Sequence, residues 1–246
     1  MRITGTLRGE CGDGKTCPGV HDTDSVEDVL VQGARVTDPA VLAQVNLPAH
    51  EGLVRVPRIF FSDRFMGPEE FSSWYDEHLT RDMLRLETLG YYDSDARGYA
   101  PWQRGEPQPD WDAKRPWLDR VRSDSDAGIS RRRVRVVRGP LTDYERYECQ
   151  WGYIPLVEHG EDIRILDLTD TPFSLADVGD FSVFDDIHAI RMDYDPAGVF
   201  RGAWVVAARD VPFYAGLRDL LWHVAEPFPA WWARHPEHHR DGAYAG

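Results

Sequence analysis

The stretch RRRVRVVRGPLTDYERYECQWGYIPLVEHGEDIRILDL, residues 131–168, decides the fold. Arg131 to Val137 alternates and is rich in valine, the composition of a pleated, half-buried strand. Gly139-Pro140 then opens a helix in which Leu141, Tyr144, Tyr147, Glu148 and Trp151 share a face. That helix runs to Gly152 or, past a kink at Pro155, to His159, and Gly160 ends it. Asp162 to Leu168 reads as a second strand. The segment is therefore strand, helix, strand.

Working upstream, Trp117 to Ala127 is helical, with Trp117, Leu118, Val121 and Arg122 on one face and Gly128 as its stop. Residues 93–116 carry Gly98, Pro101, Gly105, Pro107, Pro109 and Pro116, and this density predicts an irregular surface connector that could serve as a lid. Met83 to Leu89 alternates as a strand, placing Leu84 and Leu86 on one face and Arg85 and Glu87 on the other. Before it, Pro68 starts an amphipathic helix marked by Phe71, Trp74, Tyr75, His78 and Leu79. Downstream, Phe181–Phe184, His188–Tyr194 and Val199–Ala207 read as strands, the last two joined by the Asp195-Pro-Ala-Gly198 turn. Phe213, Leu217, Leu220, Leu221 and Val224 mark a final helix. This order predicts an α/β (α+β) fold, a mixed sheet flanked by helices.

The first sixty residues form a small β-rich module by the same reading. Ile3–Leu7, Val29–Val36 and Leu53–Val56 are strand-like, the 9–19 segment is a Gly-rich turn, and a short helix falls at 38–43. The expected organisation is a module at 1–60, a helix, strand and connector over 61–116, an α/β core over 117–227, and a docked or frayed tail over 228–246.

Composition narrows the chemistry. Only Lys15 and Lys114 are lysines among 28 basic residues, and neither sits in a phosphate-binding or catalytic motif. Arginine, permanently charged and bidentate, supplies the rest and faces 42 acidic residues. A net charge of −14 argues against direct nucleic-acid binding, which draws on an excess of basic residues. No apolar run of membrane-spanning length and no signal core appears, so no membrane contact and a cytoplasmic location are expected.

Several constellations could carry function. Cys11, Cys17 and His21 have wide spacing for zinc and no fourth ligand, and His235, His238 and His239 lie at the chain end, so neither predicts a metal. No cofactor is expected. Asp185-Asp186 follows a strand and reads as its closing turn, with an acid/base role as the competing view. The most coherent set is Arg85 and Glu87 on one strand face, Arg133 and Arg135 on another, and Arg164 and Arg191 in mid-strand, with Glu148 as an acid to pair with them. If their faces converge they form a charged pocket for an anion, walled by Tyr91, Tyr144 and Trp151; otherwise they are a structural ion-pair network.

These residues also carry a resemblance. Leu84-Arg-Leu-Glu-Thr88 with Tyr91, the run at 133–137, Gly139 to Glu148, Gly160 to Leu166, and Phe184-Asp-Asp186 with Arg191 together resemble an actinobacterial domain family of unknown function. Its members are often encoded beside helix-turn-helix regulators. The match spans roughly residues 65–225, and the opening residues resemble a second small actinobacterial module. Residues 117–194 also look like the core of a phospholipase-D-like fold, but without the His-x-Lys pair of its active members. The resemblance implies the scaffold without its hydrolytic chemistry. It favours a non-enzymatic regulatory or accessory protein that binds a protein partner, plausibly a helix-turn-helix regulator. The alternatives are a sensor of an anionic small molecule, or an enzyme of specialised metabolism using Glu87, Glu148 or Asp185.

Overall fold

The computed structural model describes residues 2–9, 19–24, 30–45, 47–56, 63–170 and 178–240. At the N-terminus β1 (Ile3–Gly9), β2 (Gly19–Thr23) and β3 (Leu30–Gln32) form an antiparallel sheet in that order. A two-stranded ladder of β4 (Ala34–Arg35) and β5 (Val54–Arg55) follows, spanned by α1 (Pro39–Leu42). The Asp38 side chain accepts from the Ala40 N–H and so caps α1. Cys11 and Cys17 lie outside the described residues; His21 faces Gln32 across the small sheet, 3.0 Å away.

The body of the chain is one eight-stranded mixed sheet. Its elements are β6 (Arg64–Met66), α2 (Pro68–His78), β7 (Asp82–Glu87), α3 (Ala96–Gln103), α4 (Trp111–Asp126), β8 (Ser130–Val137), α5 (Asp143–Tyr147), α6 (Ile154–Glu158), β9 (Asp162–Asp167), β10 (Phe181–Phe184), β11 (His188–Tyr194), β12 (Phe200–Val205), α7 (Val211–Val224), β13 (Glu226–Pro227) and α8 (Phe228–Ala233). The spatial order is β13-β9-β8-β7-β10-β11-β12-β6. The central β7-β8-β9 pairs are parallel and the others antiparallel, so this is the mixed sheet flanked by helices that the sequence predicts. Parallel strands need crossovers, and α3–α4 and α5–α6 are those crossovers.

Register divides the side chains cleanly. Leu84, Leu86, Val134, Val136, Leu166, Phe181 and Val183 meet Leu221 and Val211 of α7 on one face. The other face carries Ile163 and Ile165 against Leu118, Val121, Leu156 and Phe228, and Met83, Phe184 and Ile190 against Trp74 of α2.

Two expectations are corrected, and for the tail one of the two expected alternatives holds. The proline-rich 93–116 segment is not an irregular surface connector: α3 and the first turn of α4 occupy much of it, with Pro101 and Pro116 inside helices. Trp102 is buried against Trp151 and Tyr147, and Asp110 caps α4 through the Ala113 N–H, which together outweigh the lost proline donors. The helix expected from Pro140 begins only at Asp143, behind a capping box of Thr142 and Glu145. It then widens to π-helical turns over Glu148–Tyr153 before α6. Pro155 has no N–H for the Trp151 carbonyl, and the widened turns precede it instead of a kink. Finally, Trp231 and Trp232 are buried in the core beside Phe228, so the tail is docked as far as α8. Among the described residues no helix is long and apolar enough to cross a membrane.

Candidate functional site

The site grows from a ladder of arginines on β8. Alternation puts Arg131, Arg133 and Arg135 on the same side of the sheet, under α2 and α4–α6. Each finds its own acid. Arg131 donates to Asp124 of α4 and, 2.8 Å away, to the Tyr75 hydroxyl. Arg133 donates from Nη1 to Glu87 at 2.8 Å and from Nε to Glu161 at 2.7 Å. Arg135, 1% exposed, has Nη2 3.0 Å from Glu148 Oε2 and 3.3 Å from Glu145 Oε1, while its Nη1 has no hydrogen-bond partner. Glu145 is also the N3 residue of the capping box, so one carboxylate starts α5 and tethers it to the sheet.

Beside this ladder β7 contributes Arg85 and Glu87. Arg85 Nε is 3.1 Å from Glu87 Oε1 without completing a hydrogen bond, and its Nη2 reaches the Tyr194 hydroxyl at 3.3 Å. The Tyr153 hydroxyl donates to Glu87 Oε2 at 2.9 Å. Glu148 and Tyr153 are five residues apart, a spacing that an α-helix would splay and the wider π-helical turns bring towards the same side. The Tyr92 hydroxyl donates to Asp180 at 2.6 Å, and Asp180 also accepts from the Thr88 N–H and hydroxyl.

Over this floor opens a cavity of about 380 Å3 bounded by Arg85, Glu87, Glu148, Tyr92, Tyr147, Tyr153 and Lys114. A neighbouring space of about 470 Å3, between α2 and α4, shares Arg85, Ser94, Trp117 and Arg133 with it. Of the cavity's three acids, Glu87, Asp95 and Glu148, the first and last are driven apart. Burial would raise Glu87, but Arg133, Arg85 and Arg135 outweigh it and hold the carboxyl down at about 2. For Glu148 burial wins over Arg135, and with the negative Glu87 nearby pushes it up to about 8. The surroundings thus favour the carboxylate at Glu87 and the acid form at Glu148.

Lys114 is the uncommitted cation. Its ammonium lies 5.8 Å from the centre of the Tyr147 ring, and it makes no hydrogen bond or ion pair among the described residues. Burial lowers its pKa, with Asp95 pulling the other way.

Not all the residues singled out in the sequence meet here. Arg85, Glu87, Arg135 and Glu148 do. Arg164 and Arg191 lie on the opposite face: Arg164 stacks 4.0 Å over Trp222 and donates to its carbonyl, and Arg191 pairs with Asp63 at 2.9 Å. Asp185 sits in the β10–β11 turn, where it and Asp186 have positive φ. Its carboxylate accepts from the Thr80 hydroxyl and from the Arg81 and Asp82 N–H groups, bonds that overcome burial and lower its pKa. It clamps the start of β7, not a reaction centre. Tyr144 and Trp151 fill an aromatic cluster with Tyr92 and Trp102, and Tyr91 packs on Tyr144 at 4.8 Å, so the walls are other rings. The terminal histidines are structural: His235 and His239 stack on Trp231 and Trp232 and bond the carbonyls that end α8.

Tyr92 and Tyr153 were not singled out, and Lys114 was noted without a functional role. Lys114 was hidden by the prolines around it, although Trp111, Lys114, Leu118 and Val121 follow helical spacing.

No curated protein matches the chain. Among solved structures, TrmBL2, described as an archaeal chromatin protein with a novel mode of DNA binding, is similar over 67% of this chain at 14% identity and a TM-score of 0.37. The chain spans 53% of that protein, and so distant a likeness carries no argument. A family match is more direct: residues 69–233, more than half of the chain and all of the cavity's lining, match the domain of unknown function DUF6879, and the chain belongs to that family.

Proposed function

We propose that this chain binds a compact anionic small molecule in the cavity over Arg85 and Glu148. The observation that carries the reading is a mismatch of partners. Arg131 and Arg133 each hydrogen-bond an acid, whereas Arg85 Nε lies 3.1 Å from Glu87 without completing a hydrogen bond and Lys114, also at the cavity, has no side-chain hydrogen bond among the described residues. A ligand carboxylate or phosphate would complete them, and Tyr92, Tyr147 and Trp117 would cover a flat apolar body. The protonated Glu148 would donate to a neutral oxygen of the same ligand. Thermal unfolding with a panel of carboxylates and phosphates tests this. A ligand at 100 times its Kd stabilises by about 2.7 kcal/mol, and Arg85→Gln should remove most of the shift. A flat response across the panel at millimolar concentration would dismiss it.

A second reading, a protein partner, is favoured by α7. Phe213, Leu217, Leu220 and Val224 recur at 4-3-4 spacing, and Phe213, Leu220 and Val224 are exposed. That is the seam of a helix–helix contact, and a helix-turn-helix regulator with a basic surface is the proposed partner for a chain of net charge −14. The phospholipase-D-like character of the core belongs with this reading: the sequence has no His-x-Lys pair, which supports a scaffold used for binding.

A further inference from the structure

Beyond holding an anion, the cavity contains a nucleophile. We propose that Lys114 forms an imine with a ligand that bears a carbonyl next to its anionic group, an α-keto acid with a flat apolar body. The inference rests on the anion-binding reading and adds a covalent step to it.

Four observations converge. Lys114 is half-buried in the cavity wall and has no carboxylate or hydrogen-bonding partner among the described residues, unlike the ladder arginines opposite. Its ammonium lies 5.8 Å from the centre of the Tyr147 ring, a contact that leaves the nitrogen without a hydrogen-bond acceptor. The acid that contributes to its field, Asp95, already accepts from the Tyr144 hydroxyl at 3.2 Å. Arg85 and Glu148 line the same cavity, each ion-paired, to Glu87 and Arg135, through an atom that completes no hydrogen bond. Burial favours the free amine, which is the nucleophilic form.

The step balances without a further reagent. The neutral Lys114 amine attacks the carbonyl carbon, a C–N bond forms, and one amine proton passes to the oxygen to give a carbinolamine. The C–O bond then breaks, the oxygen leaves as water, and the nitrogen loses its remaining proton or keeps it as the iminium. Glu148, whose acid form the surroundings favour, supplies the proton that the departing oxygen needs. Arg85 holds the carboxylate of the keto acid.

The experiment uses the full chain, phenylpyruvate and pyruvate as probes, and borohydride to reduce any imine, followed by peptide mass mapping. With only two lysines the map is simple. The expected result is one adduct on Lys114 that saturates with probe concentration and disappears in Lys114→Arg, while Lys15 and the terminal amine label in proportion to concentration. Folding of the variant is checked by circular dichroism. Labelling of Lys114 no faster than Lys15 would overturn the imine. Phenyllactate, which keeps the carboxylate and ring but has no carbonyl, separates the two proposals. If it raises the melting temperature and phenylpyruvate leaves no adduct, the anion site stands and the imine fails; if neither probe binds, both fail.

Discussion

Glu87 and Glu148 show how one face of a sheet sets opposite charge states on two identical side chains. Glu148 is raised in the fold, so the folded chain holds its proton more tightly than the unfolded chain does. Its contribution is complete below the ordinary value of 4.5 and is lost as pH rises through about 8. Glu87 runs the other way: its contribution is present above 4.5 and is lost as pH falls through about 2. The melting temperature should therefore fall from about pH 5 to about pH 9. Each kcal/mol lost moves a domain of this size by roughly 2–4 °C. Glu148→Gln should flatten that slope; a slope unchanged in the variant would place the titration elsewhere. Glu87 is a different case, because removing it strands Arg133 and Arg85 beside an apolar core. Glu87→Gln should cost about 3–5 kcal/mol in denaturant unfolding, the usual consequence of breaking a buried pair from one side. A cost under about 1 kcal/mol would show that Glu161 alone satisfies Arg133.

At the scale of elements, the π-helical turns between α5 and α6 line the site and α3 packs behind them against Tyr147, and both were poorly legible in the sequence. Gly98 of α3 lies under the Tyr147 hydroxyl, where an added Cβ would stand 2.3 Å from that oxygen. Gly98→Ala should push the Tyr147 ring towards Lys114, narrow the cavity and destabilise the chain by about 1–3 kcal/mol, measurable by urea unfolding. Ligand binding should weaken more than stability does. The sheet itself was readable: strands from Met83, Arg131, Asp162, Phe181 and His188 stand within a residue or so of their expected starts, because strict alternation survives in each. The convergence of Arg85, Glu87, Arg135 and Glu148 was legible in part, since parity fixes the face within a strand. Parity cannot say which faces of different strands coincide, and Arg164 and Arg191 consequently fell on the far side. Prolines concealed α3 and the start of α4, where buried Trp102 and the Asp110 cap hold helices that local propensity argues against.

Taken as a whole molecule, the sheet has two functional faces of opposite character. The α3–α6 side hides charge beneath rings; the α7 side hides apolar residues and then exposes more of them on the helix's outer surface. Phe213 is 63% exposed, Leu220 53% and Val224 55%. A helix that is apolar on two sides has more hydrophobic surface than its own sheet can cover. On the partner reading, Leu220→Asp should leave unfolding free energy within about 0.5 kcal/mol, because the side chain touches mainly solvent. It should lower affinity for the proposed helix-turn-helix partner by more than tenfold, as expected for a central contact in a helix seam, worth about 2 kcal/mol or more. Isothermal titration of the wild-type, Leu220→Asp and Arg85→Gln chains separates the two faces. Arg85→Gln lies on the far side of the sheet and should bind the regulator as wild type does. Equal affinity for all three would remove α7 as the contact, while a loss confined to Arg85→Gln would mean that the partner reads the cavity, through its ligand, and not the helix.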